Sequence, residues 1–107
     1  MTLRQDKVKE NIRNIIAQFL RSESNRLSLI TVTRVDVSSD LKKATIFVSV
    51  LPESGEESAL NFLKRRRKDA RDYLRKKLSM RSIPFIDFEI DYGEKNRQRI
   101  DELSQES

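Results

Sequence analysis

The chain has 107 residues, 36% charged and 36% hydrophobic, with a formal net charge of +5 and neither cysteine nor histidine. That length allows one domain with one modest core, and the missing residue types exclude disulfide staples, thiolate or imidazole metal sites and the commonest general base. The charge is local: residues 64–81 hold ten basic and two acidic side chains, net +8, which leaves −3 for the remainder and suggests a binding face for a polyanion.

Val8, Ile12, Ile15, Ile16 and Phe19 recur every three or four residues among polar neighbours, which predicts an amphipathic helix. Thr2 with Gln5 is a candidate capping box for its start, and Asp6 is the alternative cap. Residues 30–37 are β-branched and partly alternating. Residues 43–50 alternate cleanly, with Ala44, Ile46, Val48 and Val50 on one face. Two strands are expected, joined by Ser38-Ser39-Asp40, whose side chains bond local backbone and suit the tight connection of an antiparallel hairpin. Ile30 and Val32 are out of phase with Val35 and Val37, so a bulge is expected near Thr33 or Arg34.

Pro52 ends the second strand, and Ser54 with Glu57 forms a second candidate capping box. The helix it launches carries Ala59, Leu60, Phe62 and Leu63. Its apolar stripe is interrupted by the run from Lys64 to Asp69 and resumes at Ala70, Tyr73, Leu74 and Leu78. Two helices, or one kinked helix, are expected to meet at residues 68–72. Pro84 biases Ile83 toward extended geometry, and a third strand follows in which Ile86, Phe88 and Ile90 alternate with Asp87, Glu89 and Asp91. Gly93 ends it. The tail, 94–107, has only Ile100 and Leu103 as apolar anchors and is expected to be a short, weakly ordered helix. The order helix, strand, strand, helix, helix, strand predicts a single α+β domain over 1–107, a two-layer sandwich with helices on one face of a three-stranded sheet.

Four segments carry a resemblance. They are Val32-Thr33-Arg34-Val35-Asp36-Val37-Ser38-Ser39-Asp40-Leu41; Ala44-Thr45-Ile46-Phe47-Val48-Ser49-Val50; Tyr73-Leu74-Arg75 with Leu78; and Arg81-Ser82-Ile83-Pro84 leading to Phe88 and Asp91. Together, over residues 7–92, they resemble ribosome-binding factor A, a family of bacterial assembly factors with a type II KH fold. The resemblance implies binding to the small (30S) ribosomal subunit late in its maturation, near the decoding-site helix of 16S rRNA, with release before translation. It raises a release GTPase as a further partner and a role in cold adaptation. It also implies a helix-kink element where a typical KH domain has a Gly-x-x-Gly loop. The family's Ala-x-Gly aligns with Ala70, Arg71 and Asp72, so aspartate, which tolerates bends and can cap a following helix, stands for the glycine.

The residues expected to contact RNA phosphates are Lys64, Arg65, Arg66, Arg67, Lys68, Arg71, Arg75, Lys76 and Arg81. Each cation held near a phosphate releases a condensed counterion, and the arginine fork can grip a phosphate with two donors. A run of cations can equally be a solvated helix face, but the local concentration of charge weighs against that here. With Gly55 and Gly93 the only glycines and neither in a Gly-x-x-Gly setting, recognition by RNA shape and backbone is expected. Phe85 and Tyr92 are read as strand-end packing residues in preference to base-stacking ones.

Asp87, Glu89 and Asp91 are read as a solvated strand face in preference to a magnesium site, since alternate residues on a strand sit roughly 7 Å apart. Arg34 and Asp36 are read as partners on the same wet face. No reaction and no cofactor are expected. The competing functions are a protein-interaction module using the open sheet face, a general RNA-binding module unrelated to ribosome assembly, and a carboxylate metal enzyme. With no run of eighteen apolar residues and no leader pattern at Met1, the chain is expected to be cytoplasmic and not to engage membranes; a monomer is also expected.

Overall fold

The computed structural model describes residues 3–23, 29–80 and 82–93. Helix α1 spans Leu3–Glu23, strand β1 Leu29–Val37, strand β2 Lys43–Leu51, helix α2 Glu56–Arg65, helix α3 Arg67–Lys77 and strand β3 Phe85–Ile90. The sheet order is β1-β2-β3, with β1 and β2 antiparallel and β2 and β3 parallel. A parallel pair needs a long crossover, and α2 and α3 supply it.

The hairpin forms because both strands carry a consistent apolar face. Val32 pairs with Val48 and Arg34 with Phe47, so Thr33 is the bulged residue. The bulge lets Val32 and Val35, three positions apart, both turn into the core. In the connection, Ser38 Oγ donates to Asp40 Oδ1 at 2.6 Å, the Lys42 amide donates to the same carboxylate oxygen at 3.1 Å, and the Lys43 amide donates to Ser38 Oγ at 3.0 Å. These bonds hold Leu41 at a φ of 60°.

Several sequence expectations are corrected. Helix α1 begins at Leu3, so Asp6 lies in its first turn and is not a cap; Thr2 lies outside the described residues. The Ser54–Glu57 capping box does not form. The cis Leu51–Pro52 peptide leads into a 3₁₀ turn, Glu53–Gly55, in which the Gly55 amide bonds the Pro52 carbonyl at 2.9 Å, and Gly55 itself precedes α2 without a side-chain cap. The break between helices falls at Arg66, with φ −101° and ψ 10°. Ala70, Arg71 and Asp72, expected to be the kink, lie inside α3, where Ala70 is fully buried. The physical reason is local hydrogen bonding. The Arg66 amide closes a tight turn onto the Leu63 carbonyl at 3.0 Å, and Arg67 Nε satisfies the Lys64 carbonyl at 2.9 Å, so the helix can end there without orphaning that acceptor. The tail, 94–107, lies outside the described residues.

The core lies between the sheet and the helices. Ile12, Ile16, Phe19 and Leu20 of α1, Ala59 and Leu63 of α2, and Ala70 and Leu74 of α3 meet Ala44, Ile46 and Val48 of β2 and Ile86, Phe88 and Ile90 of β3. Phe88 is the largest fully buried side chain.

Candidate nucleic-acid interface

Nine cations were expected to act together, but the fold divides them. Lys64 is turned toward the sheet edge, where its Nζ donates to Asp87 Oδ1 at 2.9 Å and to Glu89 Oε1 at 3.1 Å. Asp87 and Glu89 alternate with the buried residues of edge strand β3, so Lys64 ties α2 to that strand. Its hydrogen bond to Asp87 raises its pKa against the opposing effect of burial. Burial would raise the Asp87 carboxyl, but the Lys64 ammonium, the Phe88 amide and the Arg67 charge outweigh it and hold the group below its ordinary range. An ammonium therefore occupies the position a divalent cation would take between these carboxylates. Among the described residues, no group of three acidic side chains is arranged to hold a metal ion.

Other cations are partly engaged. Arg66 pairs with Asp69 at 3.0 Å and Arg75 with Asp72 at 3.1 Å, each within one turn of exposed helix, where such pairs contribute about 0.5 kcal/mol or less and yield readily to a polyanion. Arg67 lies 3.4 Å from Asp87 while its Nε donates to the Lys64 carbonyl. Arg71 donates twice to the Ile83 carbonyl, at 2.9 and 3.3 Å, and lays its guanidinium 4.2 Å from the centroid of the Phe85 ring. Arg65, Lys68 and Lys76 are exposed and have no ion pair among the described residues. Arg81 lies outside the described residues.

A depression of about 400 Å³ opens where α3 meets the start of β3. It is lined by Lys43, Arg67, Lys68, Arg71, Phe85, Ile86 and Asp87. Lys43 is not among the sequence-predicted contacts, and Phe85 was expected to pack in preference to stacking on a base. Lys43 belongs to β2 and lies far from the basic run in sequence, but it is the register partner of Phe85. Phe85, read as a packing residue, is 65% exposed. It is odd in the alternation whose even members are buried, which was the available signal. Tyr92 is 63% exposed.

The open face of the sheet has a different character. The Arg34 guanidinium lies 3.9 Å from the Phe47 ring centroid and 3.3 Å from Asp36, and its Nε is 3.7 Å from the buried Asp91. Thr33 Oγ1, with one proton to give, donates it to Asp91 Oδ2 at 2.5 Å in preference to the Phe47 carbonyl at 3.2 Å.

The order α-β-β-α-α-β, with a helix pair crossing between parallel strands, is that of a KH-like domain of type II. The sequence profile of the Ribosome-binding factor A family matches residues 4–104. A ribosome-binding factor A of Trichlorobacter lovleyi is 37% identical over 113 aligned positions, covering 96% of this chain and 86% of that one. The crystal structure of ribosome-binding factor A from Thermus thermophilus matches with a TM-score of 0.72 at 23% identity, over 80% of this chain and 94% of that one. A homology model of the Thermus thermophilus ribosome-binding factor A, fitted into a cryo-EM map of a 30S complex with that factor, matches at a TM-score of 0.59 and 23% identity, over 84% of this chain and 93% of that one. The chain belongs to the ribosome-binding factor A family.

Proposed function

We propose that this protein is a non-catalytic assembly factor that binds the small ribosomal subunit through the outer surface of α2 and α3 and assists late maturation of 16S rRNA in the cytoplasm. Family membership supports the ribosome as partner, and the fitted 30S complex of the Thermus relative supports the small subunit in particular. The observation that carries the choice of surface is the placement of Arg65, Lys68 and Lys76. These cations stay free of acidic partners among the described residues, and all three lie on the helix pair. Lys64 is a structural tie in this reading and leaves the set of RNA contacts; Arg71 acts chiefly by holding Phe85. A monomer that is later released, by a GTPase or otherwise, completes the proposal.

The test is cosedimentation with purified small subunits over a potassium chloride series, comparing the wild type with Arg65→Glu, Lys68→Glu and Lys76→Glu combined. Binding by the wild type is expected to weaken with salt, and the triple variant is expected to lose roughly tenfold or more at low salt, since each phosphate contact adds nearly one to the salt slope. Undiminished cosedimentation of a folded triple variant would refute this surface.

A further inference from the structure

We propose that the depression between α3 and the start of β3 holds one unpaired nucleotide of RNA, its base stacked on Phe85 and its phosphate held by Lys43 and Lys68. This deepens the RNA-binding reading above and rests on it. An isolated exposed phenylalanine needs no explanation, but this one is presented as a rigid platform. Its amide donates to the Lys42 carbonyl at 2.9 Å, which fixes the backbone. Arg71 lies against the ring, and its own guanidinium is fixed by two bonds to the Ile83 carbonyl. With the residue 65% exposed, the ring retains surface open to solvent.

The charges around the ring are complementary to a nucleotide. Lys43, the register partner of Phe85, projects beside it from β2, and Lys68 approaches from α3. Neither has an ion pair among the described residues. Asp87, the one acid in the lining, is neutralised by Lys64 and Arg67 and so does not repel a phosphate. A plain inorganic anion would use the lysines and leave the ring idle. A duplex would use the cations but could not bring a base face onto the ring, because its bases are stacked on each other. Unpaired RNA uses both, and stacking on an aromatic side chain is tolerant of base identity. The volume, about 400 Å³, lies within the range of small-ligand sites.

The chain contains no tryptophan, so Phe85→Trp installs a single tryptophan at the platform, whose fluorescence is excited selectively over that of the two tyrosines. Titration with single-stranded octauridylate is expected to quench it, and an RNA duplex of the same length is expected to leave it nearly unchanged. Phe85→Ala should weaken octauridylate binding roughly five- to a hundredfold. Phe85→Leu, which keeps apolar bulk and loses the π face, should behave like Phe85→Ala, and Phe85→Tyr should bind like the wild type. Thermal melts of each variant verify folding. An unquenched reporter, or a Phe85→Leu variant that binds octauridylate as tightly as the wild type, overturns the pocket. Cosedimentation of the wild type with small subunits is a separate readout: if it persists while the reporter stays silent, only the pocket is lost, and if it is absent the broader function fails.

Discussion

Lys64 places its ammonium between Asp87 and Glu89, and replacing it with methionine leaves two carboxylates on one strand with Arg67, 3.4 Å from Asp87, as the remaining ion-pair partner among the described residues. The side chains of Lys64 and Asp87 are 30% and 24% exposed, so solvent screens the pair in part. Lys64→Met is expected to destabilise the fold by about 1 kcal/mol, a loss of roughly 4–8 °C in melting temperature for a domain of this size. The pH dependence has a definite sign. Asp87 is held below its ordinary value of 3.8, so its contribution is complete above that value and is lost as pH falls through the lower, folded value. Lys64 is raised above 10.5, so its contribution is complete below that value and is lost as pH rises through the folded one. The melting temperature of the wild type should therefore fall more steeply on acidification from about pH 5 to pH 3 than that of Lys64→Met. Parallel acid limbs for the two proteins would show that the tie contributes nothing.

At the scale of elements, the bulge in β1 is fastened to the far end of β3. Thr33, the extra residue, donates to Asp91, whose own amide bonds the Val48 carbonyl at 2.8 Å. Asp91 is 7% exposed, so loss of a donor leaves a buried carboxylate less well satisfied. Thr33→Val, nearly isosteric, is expected to cost about 1–3 kcal/mol, read as a lower urea midpoint with an unchanged slope. An unaltered midpoint would mean that water or another donor replaces the hydroxyl. The bulge was legible in the sequence because apolar residues on either side of it fall out of phase, and a period of two admits no other local repair. Strands β2 and β3 and helix α1 were legible for the same reason, since each has one apolar period along its whole length. The position of the helix break was not. Ala59, Leu63, Ala70 and Leu74 are all buried, and their spacing suits one continuous helical stripe, so the polar run from Lys64 to Asp69 marks that a break exists but not that the turn falls at Arg66. The abandoned Ser54–Glu57 box shows a similar limit, because the chain leaves β2 through a 3₁₀ turn that uses Gly55. In the candidate site, the concentration of cations was legible and their division was not. Lys64 meets acids 23 and 25 residues away, and Lys43 joins the site through strand pairing, so both depend on sheet register.

For the molecule as a whole, the remaining question is whether a polyanion responds to net charge or to its distribution. The acids of the sheet are matched by cations, Asp36 and Asp91 by Arg34, and Asp87 and Glu89 by Lys64 from α2, while Lys43 of β2 has no ion pair among the described residues. The outer surface of the helix pair leaves Arg65, Lys68 and Lys76 unmatched among the described residues. Two double variants separate the possibilities. Arg65→Gln with Lys68→Gln, and Arg13→Gln with Arg21→Gln, each lower the formal charge from +5 to +3. The second pair lies on α1, the helix whose neighbours are β1 and α3, away from β3. A response to net charge would weaken small-subunit binding equally in both. A response to the helix-pair surface should lower the slope of log affinity against log salt by about two in the first variant and leave it nearly unchanged in the second. Cosedimentation at several salt concentrations measures those slopes. Equal loss in both variants would reduce the basic surface to general electrostatic attraction, because two cations on α1 would then do the same work as two on the helix pair.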